Sequence, residues 1–331
     1  MAQVRWIDSN DVTLHPLSLI HVSNISPHPS MDAPCFLAVD GGGTKTEAVL
    51  VDEQRRVVGR GYAGPSNYTR KSPEEWAQVI CEAVQHAAAS APRPILRAWI
   101  GSAGIESAQA VEEAQKHASR VLGLAYEHVR VTNDVTLLCA NLERSGLAVI
   151  AGTGSAVHVF GHTSDGLQHV TQIGGLGWIL GDEGSAYGIG RAALRAVLHR
   201  DSDVENLLAA ILAHWNVRSP GELISVVYAE QAPDPIASLA PLVCKLAFEK
   251  QDTGALRVVT AQAQLLAAQI ARGATHCSAP YDLCLGGKVL MQAAYRRLVL
   301  AALASQKIDF AHVHIMADVT ADAARSIRVH A

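Results

Sequence analysis

Two short stretches constrain this chain more than anything else in it. In each, an apolar run enters a glycine-rich turn and a second apolar run leaves it. The first runs from Phe36 to Val39, turns through Asp40, Gly41, Gly42, Gly43, Thr44 and Lys45, and leaves along Ala48 to Val51. The second runs from Leu147 to Ala151, turns through Gly152, Thr153, Gly154 and Ser155, and leaves along Ala156 to Phe160. Apolar runs split by a glycine turn read as β-hairpins. Glycine lacks a Cβ, so backbone N–H groups at such a turn can approach a ligand closely, and with the Thr44 hydroxyl and Lys45 alongside the turn suits a phosphate. It is not a P-loop, which needs Gly-Lys-Ser/Thr opening a helix. Here Thr44 precedes the lysine and a strand follows. Aligning Gly41 with Gly152 puts Thr44 on Ser155. Two such hairpins far apart predict two similar domains facing across a cleft, with a nucleotide's phosphates between them.

The length of 331 residues allows two domains, each with its own core. A net charge of -4 gives no basic footprint for nucleic acid. No apolar run is long enough to cross a bilayer. The six cysteines include no Cys-x-x-Cys pair and mostly fall in apolar periodic runs, as buried free thiols in a reducing, cytoplasmic setting would. The fifteen histidines show no metal-ligand spacing and read as surface or core residues.

Residues 1–34 carry Pro16, Pro27 and Pro29 and only one short apolar patch. They read as a disordered leader with Met31 as an alternative start. Residues 35–144 form the first predicted domain, with strands, a helix from Ser72-Pro73, a strand at Arg97 to Gly101, a helix to Leu122, a strand at Val129 to Thr132 and a helix from Val135 to Leu142. Residues 145–331 form the second. Six glycines crowd the window 174–188, too many for a helix or packed strand, so the backbone there must bend tightly. Asp182 and Glu183 read as the start of the helix that follows. Residues 203–272 are mostly helical. Then a strand, Asp282 to Leu285, feeds Gly286 and Gly287 and a helix from Val289 to Ala304. That is a third place where backbone can close over a nucleotide. A strand at His312 to Ile315 and a helix from Ala321 complete the chain, and that helix is open to packing back on the first domain.

With these motifs in view, the chain resembles the α/β actin-like ATPase (ribonuclease H-like) fold of sugar kinases. More narrowly, it resembles the N-acetylglucosamine kinase branch of the BadF/BadG/BcrA/BcrD ATPase family. Asp40-Gly-Gly-Gly-Thr44 matches the first phosphate loop and Ala151-Gly-Thr-Gly-Ser155 the second. Thr132-Asn133-Asp134 matches the segment carrying the catalytic aspartate, Gly181 to Tyr187 the sugar-side loop, and Gly286-Gly287 the adenosine motif. The resemblance spans about Phe36 to the C-terminus. It implies ATP and Mg2+ as cofactors and an amino sugar as substrate, and it leaves a homodimer open. Thr44 and Thr153 would touch phosphates, with Gly41, Gly42, Gly43, Lys45, Gly152 and Gly154 around them, and Gly287 would approach adenosine beside Gly286. Asn67, Asp134, Ser155, Gly175, Leu176, Gly177 and Asp182 would contact sugar. Three positions depart from the pattern: Leu176 within the usual Gly-Trp-Gly, Lys288 after the adenosine glycine, and Asp322-Ala323-Ala324 near the end.

Phosphoryl transfer needs in-line positioning, a divalent ion and a base. Asp134, at a strand end, is the expected base, with helix capping as its alternative role. Asp40 is the expected organiser of Mg2+, largely through water. The expected reaction is 6-phosphorylation of N-acetylglucosamine. Glucosamine or N-acetylmuramate kinases, an iron–sulfur activator ATPase of the same family, a sugar-sensing repressor and a binding-only pseudokinase are the alternatives.

Overall fold

The computed structural model describes residues 33–89, 92–163, 166–230 and 232–327. The leader reading lies outside the described residues except for its last two positions. The strands are β1 (Cys35–Gly41), β2 (Thr46–Asp52), β3 (Val57–Ala63), β4 (Ile95–Ser102), β5 (Val129–Thr132), β6 (Gly146–Ala151), β7 (Ser155–Thr163), β8 (Gly166–Gly174), β9 (Asp282–Gly286) and β10 (Val313–Met316). The helices are α1 (Pro73–Ala88), α2 (Ala108–Leu122), α3 (Ala186–Leu198), α4 (Glu205–His214), α5 (Pro220–Glu230), α6 (Asp234–Ala237), α7 (Ala240–Glu249), α8 (Thr253–Ala274), α9 (Lys288–Met291), α10 (Ala293–Ser305) and α11 (Val319–Ser326).

The strands form two five-stranded sheets, ordered β3-β2-β1-β4-β5 and β8-β7-β6-β9-β10. In each, the first strand of the glycine hairpin is central. It pairs antiparallel with the strand leaving the turn and parallel with a strand returning from a helical crossover. The repeat visible in two hairpins therefore extends to two whole sheets. The halves differ in their crossovers, with α1 alone between β3 and β4 but α3 to α8 between β8 and β9.

β1 as far as Val39 and the whole of β6 are apolar, and both of their faces are covered, the pattern of a central strand. Leu37 and Val39 pack with Trp76 and Ile80 of α1. Phe36 and Ala38 point the other way, into a layer shared with Ala148, Phe160 and Cys284 of the second sheet. Each such buried large aliphatic or aromatic side chain contributes about 1.5–3 kcal/mol. α1 starts where expected: Ser72 and Glu75 form a reciprocal capping box ahead of Pro73. The last helix packs against the first sheet. Ala321, Ala323 and Ala324 of α11 sit in the shared layer with Val49 and Val51, and Arg60 of β3 bridges Glu47 and Asp318, the α11 N-cap.

Three local expectations are corrected. The segment after β5 is a 3-10 turn, Asp134–Cys139, rather than an α-helix over Val135 to Leu142; the chain from Cys139 to Gly146 needs to reach the second sheet. α3 begins at Ala186, with Ser185 as N-cap, so Asp182 and Glu183 lie before it rather than in its first turn. The expected helix over Val289 to Ala304 is interrupted at Gln292, whose extended backbone separates α9 from α10.

Candidate active site

The parallel strands β1, β4 and β5 end side by side, and their register puts Asp40 opposite Gly101 and Gly101 opposite Thr132. Asp134 follows two residues beyond Thr132, so the two carboxylates meet at one sheet edge. Gly101 permits this: a Cβ there would stand 3.1 Å from the Asp134 Cα and closer still to Leu137. Asp134 Oδ1 accepts the Val135 N–H at 3.0 Å, while Asn133, the N-cap of the turn, accepts the same N–H at 3.0 Å. Capping is thus met by Asn133, and Asp134 retains Oδ2 for other work. Burial holds the Asp134 carboxyl above the ordinary range, partly offset by the Val135 N–H. Asp40 is pushed up to about 6, first by burial, then by Asp134 and Glu47, with Lys45 opposing.

Beneath the first turn lies a hydroxyl network. The Thr46 hydroxyl donates to the Gly64 carbonyl at 2.7 Å and accepts from the Ser66 hydroxyl at 2.7 Å. The Ser102 hydroxyl donates to the Ser66 carbonyl at 2.9 Å and accepts from Trp76 Nε1 at 2.9 Å. Gly41 is fixed by this network, since a Cβ would lie 2.5 Å from Ser66 Oγ. The Gly42 N–H donates to the Lys45 carbonyl at 2.9 Å and closes the turn, leaving Gly43, Thr44 and Lys45 exposed at its tip. The Lys45 ammonium pairs with Glu47 at 3.5 Å and lies over the Tyr62 ring.

The second turn rests on a carboxylate instead. Asp182 is only 8 % exposed, and its Oδ1 accepts the Ser155 N–H at 3.0 Å. A Cβ at Gly154 would lie 2.8 Å from Asp182 Oδ2. Asp182 holds φ at +67°, a left-handed conformation that aims it back under the turn. The Ser155 hydroxyl, expected to face sugar, is buried and donates to the Glu183 carbonyl at 2.8 Å. Thr153 is exposed at the tip, and the Gly152 and Thr153 carbonyls accept the N–H groups of Ala186 and Tyr187, so the N-terminus of α3 docks against the turn. Gly287, at φ +88°, passes so close to β6 that a Cβ would lie 2.4 Å from the Ala151 carbonyl oxygen. Gly286 ends β9 beside it, where a Cβ would meet Ile150 at 2.8 Å. A cavity of about 500 Å³ opens from Gly152 and Thr153 past Lys288 and Val289 to Pro241 and Cys244. Cys244 is therefore a cysteine beside a loop of the site. All six cysteines are free, with Cys35, Cys139, Cys244 and Cys284 buried and Cys81 and Cys277 half-buried.

Of the remaining sugar-side residues, Asn67 caps a short turn, its Oδ1 accepting from the Thr69 N–H at 3.0 Å and the Thr69 hydroxyl at 2.7 Å. Its amide nitrogen is the group left to meet a ligand. Gly175 and Gly177 take φ of +65° and +80°, and Leu176 between them is 65 % exposed. Sequence reasoning missed the residues that hold this loop. Gln262 of α8 accepts the Gly184 N–H at 2.9 Å, and Tyr295 donates to the Gly184 carbonyl at 2.9 Å. Gln269, two turns along α8, donates to Glu183 at 2.7 Å. The available signal was two glutamines seven residues apart on the apolar face of a predicted helix. Glu47, a third carboxylate beside Asp40, was also missed.

A family model matches residues 37–322, that of the BadF/BadG/BcrA/BcrD ATPase family. The chain belongs to this family. An N-acetylmuramic acid/N-acetylglucosamine kinase of Clostridium acetobutylicum is 29% identical over 237 residues, 70% of this chain and 76% of that protein. An N-acetyl-D-glucosamine kinase of Dictyostelium discoideum is 26% identical over 241 residues, 68% of this chain and 73% of that protein. Among solved structures, a ROK family glucokinase from Streptomyces griseus, in complex with glucose and AMPPNP, matches with a TM-score of 0.56 at 17% identity, over 88% of this chain and 98% of that one. The structural likeness establishes the two-domain α/β sugar-kinase fold.

Proposed function

We propose that this protein is an ATP-dependent kinase that phosphorylates an amino sugar, with N-acetylglucosamine at its 6-hydroxyl as the foremost substrate. One observation carries the reading: two half-buried carboxylates, Asp40 and Asp134, meet at a strand edge beside a glycine turn, and desolvation together with repulsion from Asp134 and Glu47 holds Asp40 near 6. That excess of negative charge, opposed at Asp40 by Lys45, fits a divalent cation. Asp40 would hold Mg2+, largely through water. When bound, Mg2+ spreads the charge of the transferring phosphoryl group.

Asp134 has the geometry of a general base, with its cap already supplied by Asn133 and one oxygen left over for a sugar hydroxyl. The turns around Gly41 to Lys45 and Gly152 to Gly154 would cradle phosphates, and the cavity past Lys288 and Val289, with Gly286 and Gly287 just before them, suits adenosine. Asn67 and the loop through Gly175, Leu176 and Gly177 would wall the sugar, with Asp182 stiffening the second turn from beneath. Closure of the two halves would exclude water and limit idle hydrolysis. We place the protein in the cytoplasm, in keeping with its free thiols. A homodimer stays open. The name of the Clostridium relative and the exposure of Leu176 favour N-acetylmuramate as a second substrate.

The test is a coupled ADP-release assay over N-acetylglucosamine, N-acetylmuramate, glucosamine and glucose, with a no-sugar control. ADP release that depends on sugar, with the highest kcat/KM on an N-acetyl amino sugar, is expected. Release independent of sugar would point to an activator-type ATPase, and no release at all to a pseudokinase.

A further inference from the structure

At the edge of the second sheet far from the glycine turns, β9 and β10 run parallel with His314 level with Cys284, and the carbonyl of His312, just before β10, accepts the Leu283 N–H. Successive alternate residues share a face, so Asp282, His312 and His314 stand together. One donor atom from each lies within 4.8 Å of the other two. Asp282 is fully buried, and its Oδ1 lies 3.2 Å from His312 Nδ1. Its Oδ2 accepts the Glu143 N–H at 3.2 Å. His314 Nε2 is closed off from solvent and has no hydrogen-bond partner. A buried imidazole nitrogen left unpaired beside a buried carboxylate is costly unless something satisfies it.

We infer that Asp282, His312 and His314 form a binding site for one borderline-soft divalent transition-metal ion, of which Zn2+ is the type. Two imidazoles and a carboxylate are ligands such an ion accepts, with bonds of about 2.0–2.2 Å. Tetrahedral bonds of that length set neighbouring donors roughly 3.4 Å apart. The Asp282–His312 separation of 3.2 Å already fits. His312, whose side chain is 51% exposed, is free to turn and bring the set together. A polar cavity of about 660 Å³, lined in part by His314, can supply water as the remaining ligand.

The alternative occupant is Arg144, whose Nε lies 3.3 Å from Asp282 Oδ1. That contact is poorly formed, since the same Nε is buried without a hydrogen bond. The Arg144 side chain is 35% exposed and can swing outward as an ion enters. The ion is not the one expected with ATP. Asp282 opens β9 and Gly286 closes it, which separates the two places by roughly 13 Å of strand. Mg2+ also prefers oxygen ligands. The bound ion would tie the short edge strand β10 to β9, and β10 leads directly into α11, the helix that returns to the first sheet.

The test is calorimetric titration of Zn2+ alone into chelator-treated full-length protein, with melting curves in parallel. We expect one equivalent per chain and a raised melting temperature. His312→Ala and His314→Ala should weaken binding about 10- to 100-fold, the scale of losing a metal-site contact, and abolish the thermal gain. His169→Ala, in the separate His158–His169 pair, should change neither. Arg144→Ala keeps all three donors and removes the competing cation, so it should bind Zn2+ more tightly. No saturable binding in the wild type would overturn the inference. So would binding retained in both His312→Ala and His314→Ala, binding lost in His169→Ala, or an Arg144→Ala variant that is less stable and binds Zn2+ no better.

Discussion

The two glycine turns sit at equivalent points of equivalent sheets, yet their supports are built differently. The first is backed by the hydroxyls of Thr46, Ser66 and Ser102 and carries its acid in line, Asp40 just before Gly41. The second has Ala151 at the position of Asp40, and its acid, Asp182, comes from 27 residues beyond Ser155 to lie beneath the turn. Asp182 is held by a loop that α8 and α10 grip through Gln262, Gln269 and Tyr295. One half presents its carboxylate to the site, and the other uses its carboxylate as scaffold. A duplicated backbone thus carries its acid in two ways: in line before the first turn, and beneath the second. The long helical insertion between β8 and β9 is what makes the second arrangement possible, because it supplies α8.

The largest effect is expected in the first half. Asp134→Asn keeps the side-chain oxygen that faces Val135 but removes the basic group, so turnover should fall by about two to four orders of magnitude with ATP affinity and melting temperature nearly unchanged. Turnover close to wild type would remove Asp134 from the chemistry. Asp182→Ala comes next and breaks the scaffold. It unpairs the buried Ser155 N–H from a charged acceptor, a loss of about 1.5–3 kcal/mol. ATP affinity and sugar kcat/KM should therefore fall together, each by roughly 10- to 100-fold. Sugar kinetics that weaken while ATP affinity holds would instead make Asp182 a direct sugar ligand, as the resemblance implies. Gln262→Leu acts one step further out. It leaves the Gly184 N–H buried without an acceptor, which costs about 1–3 kcal/mol of stability. Thermal melting should drop by several degrees and the KM for sugar should rise severalfold, with kcat little changed. An unaltered KM would confine Gln262 to folding.

How much of this the sequence discloses depends on distance along the chain. The turns themselves, the strands flanking them and Asp134 are legible because each is a local pattern: an apolar run, glycines, a polar residue at a strand end. The equivalence of the two halves is legible because the hairpins repeat. Asp182 is legible as a residue that matters but not in its placement, because its contact with Ser155 is made across a loop of left-handed residues. Gln262, Gln269 and Tyr295 belong to helices far from the loop they grip, and nothing local marks a glutamine on an apolar face as a partner for a backbone N–H. The 3-10 turn after β5 was missed for a related reason. Asp134 to Leu142 has helical composition, but the chain must cross from the first sheet to the second within a few residues, and that tertiary demand overrides local propensity.

The smallest expected effect bears on the in-line acid and is the most direct measure of its electrostatics. Asp40 in the folded protein is held at about 6, from an ordinary value of 3.8. The folded state therefore binds a proton more tightly than the unfolded chain between these values. Stability from this group is fully present below about 3.8 and is lost as the pH rises through about 6. Asp40→Asn cannot ionise, so without Mg2+ or nucleotide it should melt a few degrees above wild type at pH 8. The gap should narrow through pH 6 and close near pH 4. Supplying Mg2+ with ATP should shrink the gap at pH 8 in the wild type's favour, because a cation beside Asp40 stabilises its charged form. A melting gap at Asp40 that does not vary with pH would mean that the first sheet does not concentrate charge at this edge, and the division between the two turns would then rest on geometry alone.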